Sequence, residues 1–235
     1  MPARLVVVAG HAIPRQFNCL DRDAGWFLKD FQAGEGRFFL EHAQVGAQLA
    51  IADPESLLIY SGGQSDEAAG PRSEGQGYWL IAEHFDWFDH PELRARTTTE
   101  EFSRDSFENL LFSICRFYEF TGLYPSQIAV VGWAFKAARF DLHRAALRFP
   151  AERFRYYGVS QPPNLAESEH FESLRRELFV RDPYGCSEES IAKRGLRNPF
   201  RRRHGYAASC PDLAGLLAHR GPEIYSDPLP WVKTW

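Results

Sequence analysis

The chain has 235 residues, of which 44% are hydrophobic and 25% are charged, and its formal net charge is −4. This balance is typical of a folded globular protein and argues against wholesale disorder. The negative net charge also excludes a general nucleic-acid-coating role, so any basic surface must be local.

No part of the sequence predicts a membrane span or an export signal. The N-terminal apolar run, Leu5 to Ala9, is shorter than a signal-peptide core, and no later run approaches about 18 apolar residues. The four cysteines are widely spaced and form no CxxC pair, which argues against a zinc site or a disulfide framework. We therefore expect a cytoplasmic protein with reduced thiols and no bound metal.

Short apolar runs along the chain predict buried β-strands. The clear runs are Leu5 to Ala9, Leu57 to Tyr60 and Ile128 to Val131, and Arg153 to Val159 is a candidate fourth strand. These runs are almost continuously aliphatic rather than alternating, which favours a sheet covered on both faces.

Amphipathic stretches with helical spacing lie between these runs. They include a helix from about Gly36 to Ala52, one around Tyr78, one over Phe107 to Tyr118 and one over Phe135 to Phe149. Strands that alternate with helices predict a three-layer α/β/α Rossmann-like domain with a mostly parallel sheet, spanning residues 1–160.

Residues 161–235 have a different character and are expected to form a loop-rich C-terminal extension packed on the same domain. The extension contains helical pieces at about Glu169 to Leu178 and Pro211 to Ala218. Its segment 193–204 carries six lysines and arginines and no acidic residue. Because so short a stretch cannot bury its own core, we expect Arg181 to Tyr206 to pack over the strand ends as a lid or wall.

Small and polar residues follow each of the three clear strands. Since ligands of open α/β sheets bind outside the carboxyl ends of the strands, these residues are predicted to converge on one cleft. They are Gly10 and His11 after the first strand, Ser61, Gly62, Gly63 and Gln64 after the second, and Gly132 and Trp133 after the third, with Lys136 and Arg139 in the following helix.

Two features of this edge indicate anion binding, each with a simpler alternative. Gly62-Gly63 could adopt positive φ and expose its N–H groups as an anion nest, or could form only a tight turn. Lys136 and Arg139 lie on one face near a helix N-terminus, where cations are unfavourable unless an anion is bound. The alternative is a solvated basic face.

Candidate acid–base groups lie near the same edge. They are His11, Glu74 and His143, of which His11 and Glu74 are the catalytic candidates. Asp105 or Ser106 is expected to cap a helix on which Asn109 must either be buried with a partner or face the cleft. No nucleophile elbow surrounds Ser61, and no residue cluster indicates a metal.

Five elements occur in a fixed order: Val8-Ala9-Gly10, Ser61-Gly62-Gly63, Ser73-Glu74, the stretch Ser103 to Asn109, and Val131 to Arg139. Their order and spacing resemble the DUF218 family of ElyC/SanA/YdcF-like proteins, and most of all its long eukaryotic, especially fungal, branch. Two positions depart from the bacterial pattern. Lys136 stands where histidine is usual, and Gly132-Trp133 replaces Thr-Ser, so anion binding is expected to transfer better than histidine chemistry.

The strand-end residues and the resemblance together predict binding of a small phosphorylated or nucleotide-like anionic metabolite, with catalysis left open. The resemblance also implies an alternative, a non-catalytic S-adenosylmethionine-binding or regulatory domain. A third alternative is an interaction protein that uses the basic segment 193–204. The predicted ligand-binding residues are Gly10, Ser61, Gly62, Gly63, Gln64, Ser106, Glu108, Asn109, Trp133, Lys136 and Arg139.

Overall fold

A parallel β-sheet forms the centre of the molecule. In the computed structural model, which describes residues 2–232, the sheet contains β1 (Arg4–Ala9), β2 (Ser56–Ser61), β3 (Thr97–Glu100), β4 (Gln127–Trp133) and β5 (Phe154–Val159). The strand order is β3-β2-β1-β4-β5. All four pairings are parallel, and Leu5 lies opposite both Leu57 and Ile128. The predicted parallel pairing of the three apolar runs is therefore confirmed.

Helices connect the strands and cover both faces of the sheet. The longer ones are α1 (Gly36–Ala52), α2 (Glu74–His84), α3 (Ser106–Thr121), α4 (Ala137–Ala146), α5 (Leu165–Arg181) and α6 (Glu188–Leu196). Shorter elements are the two-residue ribbon Ile13–Pro14 with Trp26–Phe27, the left-handed turn Asp86–Asp89, the helical turns Phe17–Cys19, Asp23–Gly25, Asp30–Gln32, Glu67–Ala69, Pro91–Arg96, Ala134–Lys136, Ala151–Arg153, Tyr206–Ser209 and Pro211–Leu213, and the short helix Ala214–Ala218.

The alternation of side chains along β1 divides the interior into two cores. Leu5 and Val7 pack with residues of α3 and α4 on one face of the sheet. Val6 and Val8 pack with residues of α1 and α2 on the other face. The chain therefore has the three-layer α/β/α Rossmann-like fold that the sequence predicts.

The C-terminal extension shares the core on the α3 and α4 face. Tyr184, Tyr206 and Trp231 are buried there. The Tyr184 hydroxyl donates to the Ala146 carbonyl at 2.8 Å, and the Trp231 indole donates to the Leu147 carbonyl at 2.8 Å. The extension thus completes this core instead of forming one of its own.

Helix α1 approaches β1 closely enough to require glycine at position 46. A Cβ atom on Gly46 would lie 2.1 Å from Val8 Cγ2. We expect Gly46→Ala to destabilise the protein by about 1–3 kcal/mol because it overpacks this contact. Gly195→Ala is the matched control, since a Cβ there meets nothing within 4 Å. Urea denaturation would contradict this packing if both variants unfolded at the same midpoint.

Candidate functional site

The switch point of the sheet lies at the carboxyl ends of β1 and β4. These strands are neighbours, but the chain leaves β1 towards α1 on one face and leaves β4 towards α4 on the other. Such a divergence opens the crevice in which doubly wound sheets bind ligands. His11 follows β1 and Lys136 follows β4, and Lys136 Nζ lies 3.4 Å from His11 Nδ1.

Glu74 lies beside the carboxyl ends of β1 and β2. It is the first residue of α2, and its carboxylate packs against two glycines. A Cβ atom on Gly10 would lie 2.8 Å from Glu74 Oε2, and one on Gly62 would lie 2.5 Å from the same atom. The Ser65 hydroxyl donates to Glu74 Oε1. Burial raises the pKa of Glu74, and the nearby Lys136 opposes that shift.

Lys136 lacks an acidic partner at contact distance. Within residues 2–232, no carboxylate oxygen lies within 4.0 Å of its ammonium group. Burial and then the positive charge of Arg139 lower the pKa of Lys136 to about 7, although Glu172 and Glu35 attract it. Lys136 is therefore charged only in part at neutral pH.

His11 is uncharged in this environment. Burial, followed by the positive charge of Lys136, lowers the pKa of His11 well below its ordinary value. His11 Nδ1 faces the Lys136 side chain, and which of the two donates in this contact depends on the tautomer of His11 and the protonation of Lys136. His11 Nε2 is buried and has no partner within the described chain.

Arg139 is held by an acidic residue of the extension. Its Nη2 lies 2.8 Å from Glu172 Oε2 of α5, and both side chains are almost fully buried. Its Nε has no hydrogen-bond partner among residues 2–232. Arg139 thus contributes charge to the Lys136 region and is itself paired with Glu172 of α5.

Helix α6 lies beside this cluster. Arg194 Nε donates to Asp105 Oδ2 at 2.6 Å and lies 3.4 Å from Glu108 Oε1. Burial and then Arg197, Arg175 and Arg139 lower the pKa of Lys193 to about 7. Arg197 is also among the charges that lower the pKa of Lys136. Arg197, which donates to the Arg104 carbonyl at 3.4 Å, thus adds positive charge to the surroundings of both lysines.

The prediction of an anion nest at Gly62-Gly63 is wrong. The N–H of Gly62 donates to the Glu100 carbonyl at 3.0 Å, and that of Gly63 donates to the Ser103 carbonyl at 2.8 Å. Neither glycine has positive φ. Both are required for close approach instead, because a Cβ on Gly63 would lie 2.5 Å from the Ser103 oxygen.

Ser61 and Asn109 belong to a buried network behind the cluster. Asn109 Nδ2 donates to Ser61 Oγ at 2.9 Å and to Ser103 Oγ at 3.0 Å. Ser61 Oγ donates to Glu100 Oε2 at 2.8 Å. Of the two roles open to Asn109, the structure shows the buried side chain with partners.

Other predicted ligand contacts are also made within the protein. Glu108 accepts from the Arg104 backbone and guanidinium, and Gln64 donates to the Pro71 carbonyl. Ser106 Oγ lies 2.8 Å from His143 Nε2. Trp133 is buried, and its ring lies 4.9 Å from that of His42. These side chains shape and support the strand ends from within.

Sequence reasoning missed one charged residue near Lys136. Glu35 is buried, and burial raises its pKa to about 7, an effect that Lys136 opposes. Its position directly before α1 indicates only compensation of the helix dipole. Lys193 and Arg197 belong to the basic segment 193–204 that the sequence indicated, but the helix Glu188–Leu196 was not predicted, although Ser187-Glu188-Glu189 is a typical helix start.

Two surface cavities lie away from the cluster. One of about 700 Å³ lies between α4 and α5, beside Ala138 and Val180. The other lies beside Asp23 and Lys29. Neither cavity is lined by His11, Glu74 or Lys136. The cluster is therefore a candidate site because of the chemistry of its side chains and not because of a cavity.

Comparison with known proteins identifies a relative without a recorded activity. No protein-family model and no solved structure matches the chain. The curated protein "Uncharacterized protein YOR238W" of Saccharomyces cerevisiae is 30% identical over 231 residues, covering 77% of this chain and 76% of the yeast protein. The resemblance to the DUF218 family therefore stays a prediction. Within residues 2–232, no helix is long and apolar enough to cross a membrane.

Proposed function

This chain belongs to the same family as the yeast protein YOR238W, and we propose that it binds a small phosphorylated or nucleotide-like anion at the carboxyl ends of β1 and β4. One observation carries the proposal. Lys136 lies at these strand ends, 3.4 Å from His11 Nδ1, and within the described chain no carboxylate oxygen comes within 4.0 Å of its ammonium group. Arg197 of the extension adds positive charge to the surroundings of Lys136 and of Lys193. A chain of net charge −4 thus places positive charge at its switch point.

Such an arrangement is unfavourable unless an anion is present. Neighbouring cations and burial both disfavour the charged form of a lysine, which accounts for the pKa of about 7 at both lysines. A bound phosphate would reverse both effects, because an opposite charge stabilises the ammonium form. The N-terminus of α4, which begins at Ala137, adds partial positive charge at the same place.

Of the two predicted acid–base groups, Glu74 fits proton transfer better. Burial raises the pKa of its carboxyl, so Glu74 keeps a proton closer to neutral pH than an exposed acid does. The lowered pKa of His11 makes its imidazole a weak base. Turnover of a phosphorylated ligand would therefore require Glu74, and Glu74→Gln would abolish turnover while binding persists.

The structure gives weaker support to the two alternative functions. A carboxylate for the ribose of S-adenosylmethionine would have to be Glu74, because Glu108 is occupied by Arg104 and Arg194. Two arginines of the basic segment also pair with acidic residues of the main domain. Arg194 pairs with Asp105, and Arg202 lies 3.5 Å from Glu101.

Thermal-shift and calorimetric titrations test the proposal. Inorganic phosphate, AMP and ATP should raise the melting temperature at constant ionic strength, because they bind the folded state. Lys136→Met should weaken binding by about tenfold or more, the value of one charge-assisted hydrogen bond. Arg4→Gln is the control, since Arg4 begins β1 at the opposite end of the sheet and pairs with Asp53. Stabilisation by S-adenosylmethionine alone, or by none of these ligands, would refute the proposal.

A further inference from the structure

A serine hydroxyl contacts the acid–base residue of the site. Ser65 lies in the loop between β2 and α2 and is half-buried. Its hydroxyl donates to Glu74 Oε1. A hydroxyl whose proton lies on a neighbouring carboxylate has the arrangement of a nucleophile paired with its base.

The carboxylate of Glu74 is held in place from its other side. The Glu74 N–H donates to the Gly63 carbonyl at 3.0 Å at the start of α2. Its second oxygen, Oε2, packs against Gly10 and Gly62, where a Cβ atom would lie 2.8 Å and 2.5 Å from it. One oxygen is thus enclosed by the two glycines, and the other accepts from Ser65. Burial raises the pKa of Glu74, so its carboxylate is a stronger base than that of an ordinary glutamate.

The loop around Ser65 is fixed but leaves backbone donors unused. Gln64 Nε2 donates to the Pro71 carbonyl at 2.8 Å, and Asp66 Oδ2 lies 2.7 Å from Lys29 Nζ. Within residues 2–232, the backbone N–H groups of Gln64, Ser65 and Asp66 donate no hydrogen bond. Backbone N–H groups near a nucleophile are the usual donors to the charged oxygens of a transition state.

Contacts join the Ser65–Glu74 pair to the cation of the site. Glu74 packs on Gly10, and the next residue, His11, has its Nδ1 atom 3.4 Å from Lys136 Nζ. The base and the ammonium group therefore meet at the same short segment after β1. A phosphorylated ligand bound through Lys136 lies beside a hydroxyl that is already paired with a carboxylate.

We propose that Ser65 is the nucleophile of a phosphoryl-transfer reaction in which Glu74 is the base and a phosphate monoester is the substrate. Ser65 Oγ forms a bond to phosphorus, and the bond between phosphorus and the ester oxygen breaks. The hydroxyl proton passes to Glu74 Oε1 and then to the departing oxygen, which leaves as an alcohol. Water then hydrolyses the phosphoserine, which releases inorganic phosphate and restores Ser65. The proposal rests on the anion site described above.

Turnover of p-nitrophenyl phosphate, a monoester with a coloured leaving group, tests this role of Ser65. The unaltered chain should release nitrophenolate and, after an acid quench, carry a phosphoryl group on the peptide that contains Ser65, as measured by mass spectrometry. Ser65→Ala should lower the rate at least about a hundredfold, because it removes the nucleophile and the proton transfer to Glu74. Its affinity for inorganic phosphate should change by less than about threefold, because Lys136 is retained.

Ser126→Ala is the matched control for loss of a serine hydroxyl. Ser126 precedes β4 at the opposite end of the sheet, and its hydroxyl donates to the Ala3 carbonyl at 2.8 Å. This variant should keep both the rate and the affinity of the unaltered chain. Retained phosphate binding by Ser65→Ala shows that this variant is folded.

The outcomes separate the role of Ser65 from the anion site itself. If Ser65→Ala turns over the ester as fast as the unaltered chain, Ser65 is not the nucleophile and the anion site stands. Loss of turnover without a phosphoryl group on Ser65 of the unaltered chain would make Ser65 a positioning residue and overturn the proposal. Phosphate binding without turnover by the unaltered chain would also overturn it and leave the anion site standing. If neither binding nor turnover occurs, both are refuted.

Discussion

Replacing Glu100 by glutamine should stabilise the protein at pH 8 by up to about 3 kcal/mol and have little effect near pH 5. Glu100 ends β3 and is only 1% exposed. Its carboxylate accepts from Ser61 Oγ at 2.8 Å, from the Phe102 N–H at 2.7 Å and from the Tyr206 hydroxyl at 3.3 Å. No cation lies within 4.0 Å of it in the described chain.

The direction follows from the pKa of Glu100. Burial raises it to about 7 from the 4.5 of an ordinary glutamate, and the nearby Glu108 adds to the shift. The folded state therefore holds a proton that the unfolded state has already lost between pH 4.5 and 7. The stability due to this group is complete below pH 4.5 and is lost as the pH rises through 7. Glutamine is never ionised, so the variant avoids this loss.

Urea denaturation at pH 5 and pH 8 measures the effect, with Glu101→Gln as the neighbouring control. Glu101 is more exposed and lies 3.5 Å from Arg202, so neutralising it should have an effect of less than about 1 kcal/mol at either pH. An equal gain for Glu100→Gln at both pH values would contradict the burial argument. So would a loss of stability at pH 8.

The sequence predicted an element correctly where apolar residues recur at a regular spacing within that element. The predicted bounds of α1 agree with the observed Gly36–Ala52, because an apolar stripe runs along the whole helix. The strand β3 was missed because Thr97–Glu100 contains no apolar run and pairs on one side only. The helix α6 was missed because its basic residues suggested a loop, although its first residues carry a typical N-cap at Ser187.

The site was harder to predict, because the partners of its polar residues are distant in sequence. The strand-end rule correctly anticipated that the loops carrying His11 and Lys136 meet. It could not show that Asn109 would be bound by Ser61 or that Asp105 would be bound by Arg194. A helical pattern tells which face a residue occupies, but tertiary packing decides whether its hydrogen bonds remain available to a ligand.

The backbone conformation of Gly62-Gly63 also could not be predicted from the sequence, because it depends on residues that are distant along the chain. Two adjacent glycines fit both a nest with positive φ and a close approach with ordinary φ. The observed use is close approach, because Glu74 packs on Gly62 and the Ser103 carbonyl packs on Gly63. The two conformations can be told apart only when the positions of Glu74 and of the Ser103 carbonyl are known.

The affinity of the site for sulfate should fall by up to about thirtyfold between pH 7 and pH 8, with about fivefold expected from each lysine. Sulfate is a suitable probe because its own charge does not change over this range. Lys136 and Lys193 have a pKa of about 7 in the free protein. A bound anion should raise both pKa values, so above pH 7 binding requires the uptake of protons.

The groups that face Lys136 allow the source of this effect to be identified. Arg139 and Arg197 repel its charge, while Glu172 and Glu35 attract it, and the uncharged His11 contacts it. Glu35, with a pKa of about 7, adds negative charge over the same range and works in the same direction. Lys136→Met should therefore remove the fall of about fivefold that one lysine causes and leave a shallower dependence on pH.

Calorimetry at pH 8 in two buffers of different ionisation enthalpy counts the protons directly. Sulfate binding should take up between one and two protons in the unaltered chain, and about one fewer in Lys136→Met. Arg4→Gln should match the unaltered chain, because Arg4 pairs with Asp53 at the opposite end of β1. Binding without proton uptake at pH 8 would mean that the lysines are already charged in the free protein. The mutual repulsion of the cations would then not be the property that makes this edge of the sheet an anion site.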